Sequence, residues 1–251
     1  MIDGVIKTAG RVFEVLEYFR EVRRPLSVRE IAAHCRYPLS STAVLLKSML
    51  TLGYLLYDRE KKTWFPSVQI AVLGDWVLES MFTNADVLAL ADELHRRCAE
   101  TVILAVQNDV FVHYGYVNPS PNPVRFFTPV GTRRTLCMSG LGWAILSEQA
   151  DHVIRRMIGR SVIRLGRTSR AIDEEYIFSQ IEHVRHHGYA FSRGTVTRGA
   201  GVIAMPLRVQ NLEGRFGIAI AIAAPLERLV PNIADFVALM NELIAGYHRE
   251  P

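Results

Sequence analysis

The chain has 251 residues, of which 49% are hydrophobic and 22% are charged, with a formal net charge of +4. This composition excludes an intrinsically disordered protein, and no apolar run approaches the roughly 20 residues that a membrane-spanning helix needs. The N-terminal sequence lacks the pattern of a secretory signal, so we expect a cytoplasmic protein made of one large domain or two ordinary ones.

The excess of positive charge lies in the N-terminal quarter of the chain. Residues 1–68 contain eleven Lys and Arg against seven Asp and Glu, which accounts for the whole net charge of +4. All lysines of the chain are found there, namely Lys7, Lys47, Lys61 and Lys62. A module that contacts nucleic-acid phosphates needs such an excess, so the distribution favours a DNA partner for this segment.

The first two predicted helices have clear sequence signals. Within Lys7–Glu21, the apolar residues Val12, Val15, Leu16 and Phe19 recur at helical spacing. Ser27 and Glu30 have the spacing of a capping box, which predicts a short second helix through about Cys35. The pair Tyr37-Pro38 is expected to end that helix, because the residue before a proline is disfavoured in the α region.

A third helix and a hairpin complete the N-terminal pattern. We expect the helix to start at Ser40–Thr42, to end before Gly53, and to direct Val44, Leu45, Met49 and Leu52 into the core. Two short strands, Tyr54–Tyr57 and Thr63–Phe65, flank a charged turn. This order of elements predicts a winged helix-turn-helix over residues 1–68.

The predicted DNA contacts lie on the third helix, which would enter the major groove, and on the wing. Hydroxyls at the start of the third helix and nearby cations suit contacts with phosphates and bases. The predicted contact residues are Arg29, Ser40, Ser41, Thr42, Lys47, Arg59, Lys61 and Lys62. The alternative is that the hydroxyls only cap the helix and that the lysines lie in a solvated turn.

Residues 5–74 resemble the DNA-binding domain of the IclR family of transcription regulators. The resemblance rests on SVREIAAHCRYPLSSTAVLLKSMLTLGYL, on the wing sequence REKKTWFP, and on VQIAVLG, which leads into a linker helix. Where many members have basic residues around the Ser-Thr of the third helix, this chain has Leu39, Ala43 and Val44. Fewer side chains can therefore form paired hydrogen bonds to guanine, which shifts the expected readout towards hydroxyls, wing and DNA shape.

The rest of the chain is predicted to contain a linker helix at 69–83 and a second domain at 84–251. Asn84 would cap the helix that runs through Arg97, and TVILAVQ, Asn108-Asp109 and VFVHYGYV have the pattern of a β-hairpin. Further predicted strands are Val124–Thr128, Tyr189–Arg193, Gly201–Val209 and Arg215–Ala223, the last two joined by Asn211–Gly214. Further predicted helices are one that starts at Ser139, then Ala150–Ile158, Asp173–His187 and Pro231–Tyr247.

Helices mixed with an antiparallel sheet predict an α+β, GAF-like sensor domain. The motifs MSGLGWAIL, RHHGYAFS, GAGVIAMPL and GRFGIAIAIAAP resemble the effector domain of the IclR family. The resemblance implies a pocket for a small organic acid or aromatic effector, lined by Met138, Gly140, Leu141, Ser192, Val202, Ala221 and Ala223. These side chains predict a more apolar pocket than is usual in the family, with a different ligand, no ligand, or only a packed core.

Three kinds of enzyme site are the alternatives: a dinucleotide site, a cysteine nucleophile and a metal site. Gly140–Gly142 lacks the third glycine of a dinucleotide motif, and Cys137 has no histidine partner in sequence. His183, His186 and His187 share a helix face but lack the spacing of a zinc motif. The three cysteines, Cys35, Cys98 and Cys137, are odd in number and far apart in the sequence, which predicts reduced thiols. We therefore expect a DNA-binding regulator that acts as a homodimer or dimer of dimers, controlled by a metabolite, with no cofactor, metal or membrane partner.

Overall fold

A computed structural model describes residues 6–81, 85–166, 172–209 and 217–247. The chain divides into two compact units, Met1–Ser80 (unit 1) and Met81–Pro251 (unit 2). The domain boundaries expected from the sequence, 1–68, 69–83 and 84–251, remain a prediction.

Unit 1 contains three helices, a small sheet and most of a fourth helix. The elements are α1 (Lys7–Val22), β1 (Leu26–Ser27), α2 (Val28–Cys35), α3 (Leu39–Thr51), β2 (Leu55–Asp58), β3 (Thr63–Pro66) and α4 (Gln69–Met81). The strands form an antiparallel sheet in the order β1-β3-β2. The predicted helix-turn-helix and hairpin are confirmed, whereas the two-residue strand β1 is too short to give a periodic signal.

The core of unit 1 corrects the expected orientation of α3. Its buried residues are Thr42, Leu46 and Met49, with Leu45 packed partly against the same cluster. The prediction that Val44 and Leu52 face the core is wrong, because they are 65% and 68% exposed. Apolar residues occur at nearly every turn of LSSTAVLLKSMLT, so the sequence alone does not define which side of this helix is buried.

Unit 2 is built on a six-stranded antiparallel sheet in the order β6-β5-β4-β9-β8-β7. The strands are β4 (Thr101–Asn108), β5 (Phe111–Asn118), β6 (Arg133–Thr135), β7 (Ala190–Arg193), β8 (Ala200–Pro206) and β9 (Ile218–Pro225). The helices are α5 (Ala85–Cys98), α6 (Gly140–Ser147), α7 (Asp151–Leu165), α8 (Glu174–His187), α9 (Leu226–Leu229) and α10 (Ile233–Tyr247). The predicted α+β class with an antiparallel sheet is confirmed.

Helices cover both faces of the sheet. On β4, Ile103 and Ala105 join the cluster under α6, α7 and α8, whereas Val102, Leu104 and Val106 join the cluster under α5 and α10. Alternate residues of a strand point to opposite faces, which explains why β4 is apolar almost throughout.

Three details of unit 2 differ from the sequence-based expectations or fall outside the structure. Val124–Thr128, which lies between two prolines, is not a strand, and β6 supplies the edge strand beside β5 instead. Asn108 pairs with Phe111, so the hairpin turn is one residue later than predicted. The predicted cap Asn84 and the connection Asn211–Gly214 lie outside the described residues.

The C-terminal segment Leu226–Tyr247 meets the length and composition of a membrane-spanning helix, with a mean hydropathy of 1.3. Its apolar side chains nevertheless pack within unit 2. Met240 is buried in the cluster on the sheet, and Val237 and Leu243 pack against that cluster. One side of α10 therefore packs against the sheet, although only 11% of the apolar window is buried.

Candidate nucleic-acid interface and candidate ligand cleft

Helix α3 presents a continuous exposed face on the side opposite its buried residues. Ser40, Val44, Lys47, Ser48 and Thr51 are all exposed, and at about 100° of rotation per residue they lie within roughly 100° of one another on one side of the helix. We call these five residues the outward face of α3. Of these five residues, only Ser40 and Lys47 were predicted as DNA contacts.

The N-terminus of α3 has no side-chain cap. Pro38 occupies the N-cap position and offers no hydrogen-bonding side chain. The hydroxyls of Ser41 and Thr42 both donate to the Pro38 carbonyl at 3.0 Å, so neither of them caps the helix. The first-turn amides of α3 therefore remain available to an anion, in line with the partial positive charge of a helix N-terminus.

Thr42 is the one predicted DNA contact that the structure argues against. Its side chain is 1% exposed, lies within the buried face of α3, and donates its hydroxyl proton to the Pro38 carbonyl. The three consecutive hydroxyls in the sequence cannot all share one face, because successive residues of a helix are about 100° apart. Ser40 is exposed and Ser41 lies at the flank of the outward face.

A capping box fixes the start of α2, the helix that precedes α3. The Ser27 hydroxyl accepts from the Glu30 amide at 3.3 Å, and Glu30 Oε2 accepts from the Ser27 amide at 2.8 Å. Arg24 also pairs with Glu30 at 2.8 Å. These contacts, the Ser27 amide above all, lower the pKa of Glu30 from 4.5 to about 2. The predicted capping box is confirmed.

The wing, residues 55–66, has an ordered turn at its tip. Asp58 Oδ1 accepts from the amides of Glu60 and Lys61 at 2.9 and 3.0 Å, and Lys62 adopts a positive φ of 53°. This geometry leaves the side chains of Arg59, Lys61 and Lys62 exposed. The turn thus carries three solvent-facing cations on a backbone held by one aspartate.

Six cations on α2, α3, the turn between them and the wing are open to contact with an external anion. Arg29, Arg36, Lys47, Arg59, Lys61 and Lys62 are exposed. Within residues 6–81 and the other described ranges, none of them forms an ion pair. Arg36 was not predicted, although its place in the turn between α2 and α3, with φ of 57°, puts its side chain beside the start of α3.

Unit 2 contains a cleft that is open to solvent on one side. Its floor is apolar and comprises Ile103, Leu141, Val202 and Ala223. Its polar lining comprises Tyr114, Thr128, Arg134, Ser139, Ser192, Thr195 and Thr197. A concave site with an apolar floor and a few converging polar groups is typical of a small-molecule site.

The start of α6 forms one wall of this cleft. Ser139 caps the helix by accepting from the Gly142 amide at 3.2 Å, so this cap does not use the amides of Gly140 and Leu141, two residues that line the cleft. A Cβ at Gly142 would lie 1.7 Å from the Leu136 carbonyl oxygen, and a Cβ at Gly140 would lie 3.0 Å from Ser192 Cβ. Close packing therefore explains both glycines, and the sequence Gly140–Gly142 needs no bound dinucleotide to explain it.

Arg134 brings a positive charge to the cleft. It lies on β6 beside Val112 of β5 and lines the cleft together with the buried Tyr114. Burial raises the pKa of the Tyr114 phenol, and the neighbouring Arg134 guanidinium opposes that rise. Among the described residues no carboxylate pairs with Arg134. The cleft thus offers an anion a guanidinium, a phenol and two helix amides.

Five of the seven predicted pocket residues line the cleft, namely Gly140, Leu141, Ser192, Val202 and Ala223. Ala221 is instead buried beneath α6, and Met138 packs against the same core cluster. The polar lining also differs from the expectation of an apolar pocket. Sequence reasoning missed Arg134 and Tyr114 because they reach the cleft only through the pairing of β5 with β6.

The residues weighed for enzymatic chemistry form no catalytic arrangement in the described part of the chain. Cys137 is buried, and burial raises the pKa of its thiol, which opposes formation of a nucleophilic thiolate. His183 and His187 have ring centroids 4.4 Å apart, while His186 points to Glu182 at 3.9 Å. No group of three or more potential metal ligands occurs among the described residues.

Two family models match the chain. The model of the IclR helix-turn-helix domain matches residues 8–59, and the model of the C-terminal domain of the bacterial transcriptional regulator IclR matches residues 77–244. The first match lies within unit 1 and the second covers most of unit 2, and residues 60–76 lie between the two matches.

Named relatives and solved structures agree with these models. The transcriptional repressor AllR of Escherichia coli K12 is 26% identical over 96% of this chain and 87% of its own length. The regulator KdgR of the same strain is 23% identical over 98% of this chain and 95% of its own length. The Thermotoga maritima IclR structure matches with a TM-score of 0.75 at 18% identity, covering 97% of this chain and 98% of its own. An IclR homologue from Microbacterium hydrocarbonoxydans, complexed with 4-hydroxybenzoate, matches with a TM-score of 0.75 at 20% identity, covering 96% and 97%.

Proposed function

The chain belongs to the IclR family of bacterial transcriptional regulators, and we propose that it binds operator DNA through the outward face of α3 and the wing, under the control of a small carboxylate in the cleft of unit 2. It is a DNA-binding regulator, not an enzyme. We further propose that it acts in the cytoplasm as a homodimer or a dimer of dimers, because two half-sites are needed for tight binding by such small modules.

The observation that carries the DNA-binding proposal is the exposed, uncapped α3 with unpaired cations around it. The Ser40 hydroxyl and the first-turn amides suit phosphate oxygens, and the wing cations suit the neighbouring backbone. Ser41 and Ser48 donate their hydroxyl protons to carbonyls within α3, so with these bonds in place their oxygens would accept from a base amino group. The proposed contacts are Arg29, Arg36, Ser40, Ser41, Lys47, Ser48, Arg59, Lys61 and Lys62. Thr42 is left out because its side chain is buried.

The salt dependence of DNA affinity tests the wing contacts. Each phosphate contact that is lost lowers the slope of log affinity against log salt by about 0.9. We therefore expect Lys61→Ala with Lys62→Ala to reduce the slope by up to about 1.8, with a similar loss of affinity for all sequences. Fluorescence anisotropy with a labelled duplex at several salt concentrations measures both the affinity and its slope against salt.

A charge-matched control separates contact from net charge. Arg155→Ala with Arg208→Ala also removes two positive charges, but these arginines lie in unit 2 and pair with Glu174 and Glu148. This variant should keep the slope of the unmodified protein. If both double variants change the slope equally, the wing does not contact phosphate.

The effector proposal is supported by the chemistry of the cleft and by one relative. A carboxylate buried without partners is very costly, and Arg134, Tyr114 and the α6 amides offer the partners it needs. Ile103, Val202 and Ala223 would contact the apolar body of the ligand. The homologue from Microbacterium hydrocarbonoxydans is complexed with 4-hydroxybenzoate, an aromatic carboxylate.

Calorimetric titration of the full chain with 4-hydroxybenzoate, benzoate and benzamide tests the effector proposal. A hydrogen bond to a charged group contributes about 1.5–3 kcal/mol, so Arg134→Gln should weaken carboxylate binding by roughly 10- to 100-fold. Arg133→Gln is the matched control, because Arg133 is exposed and stacks over Phe111 at 4.4 Å instead of lining the cleft. Equal affinities for benzoate and benzamide, or equal losses in the two variants, would rule out Arg134 as the carboxylate partner.

A further inference from the structure

The outward face of α3 has an apolar side chain at its centre. Val44 is 65% exposed, and it is two residues from both Thr42 and Leu46, which are buried. Two residues of an α-helix correspond to about 200° of rotation, so the Val44 side chain points almost directly away from the core. Ser40 and Ser48 lie one turn before and after it on the same face.

The groups around Val44 include few that distinguish bases by hydrogen bonding. Val44, Lys47, Ser48, Thr51 and Leu52 line one shallow depression on unit 1. The Ser48 hydroxyl donates to the Val44 carbonyl at 3.0 Å, so its proton is used within the helix. From Leu39 to Thr51 the sequence contains no Arg, Asn or Gln, and Lys47 is the one side chain of the types that read guanine or adenine by paired hydrogen bonds.

We propose that Val44 is a specificity-determining residue that contacts the 5-methyl group of a thymine in the major groove of each half-site. This inference rests on the proposed binding of DNA by α3. Thymine is the one base that presents a methyl group in that groove, so an apolar side chain there distinguishes it from the other three. Valine suits the contact because its branched side chain holds two methyl groups in a nearly fixed rotamer.

The charge around Val44 favours DNA as the occupant of this face. Lys47 is exposed on the same face less than one turn away, and the helix that carries both residues begins with uncapped amides. Arg36 and the wing cations add exposed positive charge to the same unit. A polyanion that places a methyl group between its phosphates complements this combination, whereas an apolar protein surface would leave Lys47 desolvated and unpaired.

The test begins with a binding site selected by the protein itself. Full-length protein selects duplexes from a random library, and each thymine of the enriched half-site is then replaced singly by deoxyuridine, which removes only the 5-methyl group. Burial of one methyl group is equivalent to about a fourfold change in affinity. We expect one thymine per half-site at which this replacement lowers the affinity of the unmodified protein by about that factor.

Variants at Val44 decide whether this residue makes the contact. Val44→Ala should bind the thymine and deoxyuridine duplexes equally, whereas Val44→Ile should keep the difference. Leu52→Ala is the matched control, because Leu52 is an exposed apolar residue in the same depression but lies about 12 Å further along the helix. It should discriminate as the unmodified protein does, and thermal unfolding should be unchanged in all three variants.

The possible outcomes separate this inference from the proposed function. If the protein enriches a site but no thymine-to-deoxyuridine replacement changes its affinity, or if Val44→Ala keeps the discrimination, Val44 does not read thymine although the protein binds DNA. If no sequence is enriched and duplex DNA is not bound, both proposals are overturned. If Leu52→Ala also loses the discrimination, the contact belongs to the C-terminal end of α3 and the assignment to Val44 is wrong.

Discussion

Helices α3 and α6 both begin beside serine residues, but the two units use these residues in different ways. In α6, Ser139 caps the Gly142 amide, and every residue from Gly140 to Leu146 is buried. In α3, Pro38 precedes the first turn, the hydroxyl of Ser41 donates back to its carbonyl, and a whole side of the helix is exposed. Serine at the start of α6 therefore stabilises the interior of unit 2, whereas the serines at the start of α3 leave a surface of unit 1 open to a polyanion.

The largest effect should come from breaking the close packing of α6. In Gly142→Ala the added Cβ would lie 1.7 Å from the carbonyl oxygen of Leu136, a buried residue whose backbone would have to move. We expect unit 2 to lose at least about 3 kcal/mol of its free energy of unfolding. Denaturant unfolding followed by the fluorescence of the buried Trp143 measures this loss.

The control for that variant is a glycine in a neighbouring helix. A Cβ at Gly159 in α7 meets nothing within 4 Å. Gly159→Ala should therefore leave unit 2 unchanged or stabilise it by up to about 1 kcal/mol, because alanine has the higher helix propensity. If the two substitutions had similar effects, close packing at Gly142 would not be what holds α6 in place.

The second comparison separates the two faces of α3. Leu46 is 0% exposed and packs in the cluster that contains Val15 and Phe19, so Leu46→Ala should cost about 2–5 kcal/mol. Val44→Ala, two residues away, should change stability by no more than about 0.5 kcal/mol. Hydrogen exchange of peptides from α1 and α3 would measure both effects. Comparable losses of protection would mean that Val44 is part of the core.

The fold was predictable where the signals are local. The capping box at Ser27 and Glu30 lies within four residues, and the wing is a hairpin with a short turn. The orientation of α3 was not predictable in the same way, because apolar residues lie on several sides of the helix and only packing against α1 and the sheet selects Leu46 over Val44.

The candidate sites divide in a similar way. Lys47, Arg59, Lys61 and Lys62 could be predicted because exposed cations of a winged helix follow from sequence order. Arg134 could not, since it reaches the cleft only because β6 pairs with β5, while the proline-flanked Val124–Thr128 had the more strand-like sequence. Pairing between distant strands depends on the whole sheet and leaves little local signal.

A smaller effect should distinguish the serines of the two helices. Ser139 is buried and caps α6, so Ser139→Ala should cost unit 2 about 1–2 kcal/mol. Ser40 is exposed in the first turn of α3, so Ser40→Ala should leave the stability of unit 1 within about 0.5 kcal/mol while lowering DNA affinity. Thermal unfolding and anisotropy on the selected duplex measure the two properties. If Ser40→Ala lowered the stability of unit 1 without lowering DNA affinity, Ser40 would be a structural residue of α3 and not a DNA contact.

The smallest predicted effect is the pH dependence of stability that Glu30 gives to unit 1. The pKa of Glu30 is lowered from 4.5 to about 2 by its bonds with Ser27 and Arg24. A carboxylate with a lowered folded pKa stabilises the fold above its unfolded pKa, and that contribution is lost as the pH falls through the folded pKa. The loss should therefore develop between pH 4.5 and about 2.

The size of the Glu30 contribution, and the control for it, follow from the geometry of the N-terminal caps of α2 and α6. The Glu30 side chain is 39% exposed, so solvent screening limits the contribution to on the order of 1 kcal/mol. Glu30→Gln keeps an acceptor for the Ser27 amide but cannot titrate. The difference in unfolding midpoint between this variant and the unmodified protein should therefore shrink from pH 5 to pH 3. The fluorescence of Trp64 in unit 1 reports the midpoint. The cap of α6 is the Ser139 hydroxyl, which does not titrate in this range. An equal shrinkage in the Trp143 signal of unit 2 would show that the effect does not arise from the α2 capping box.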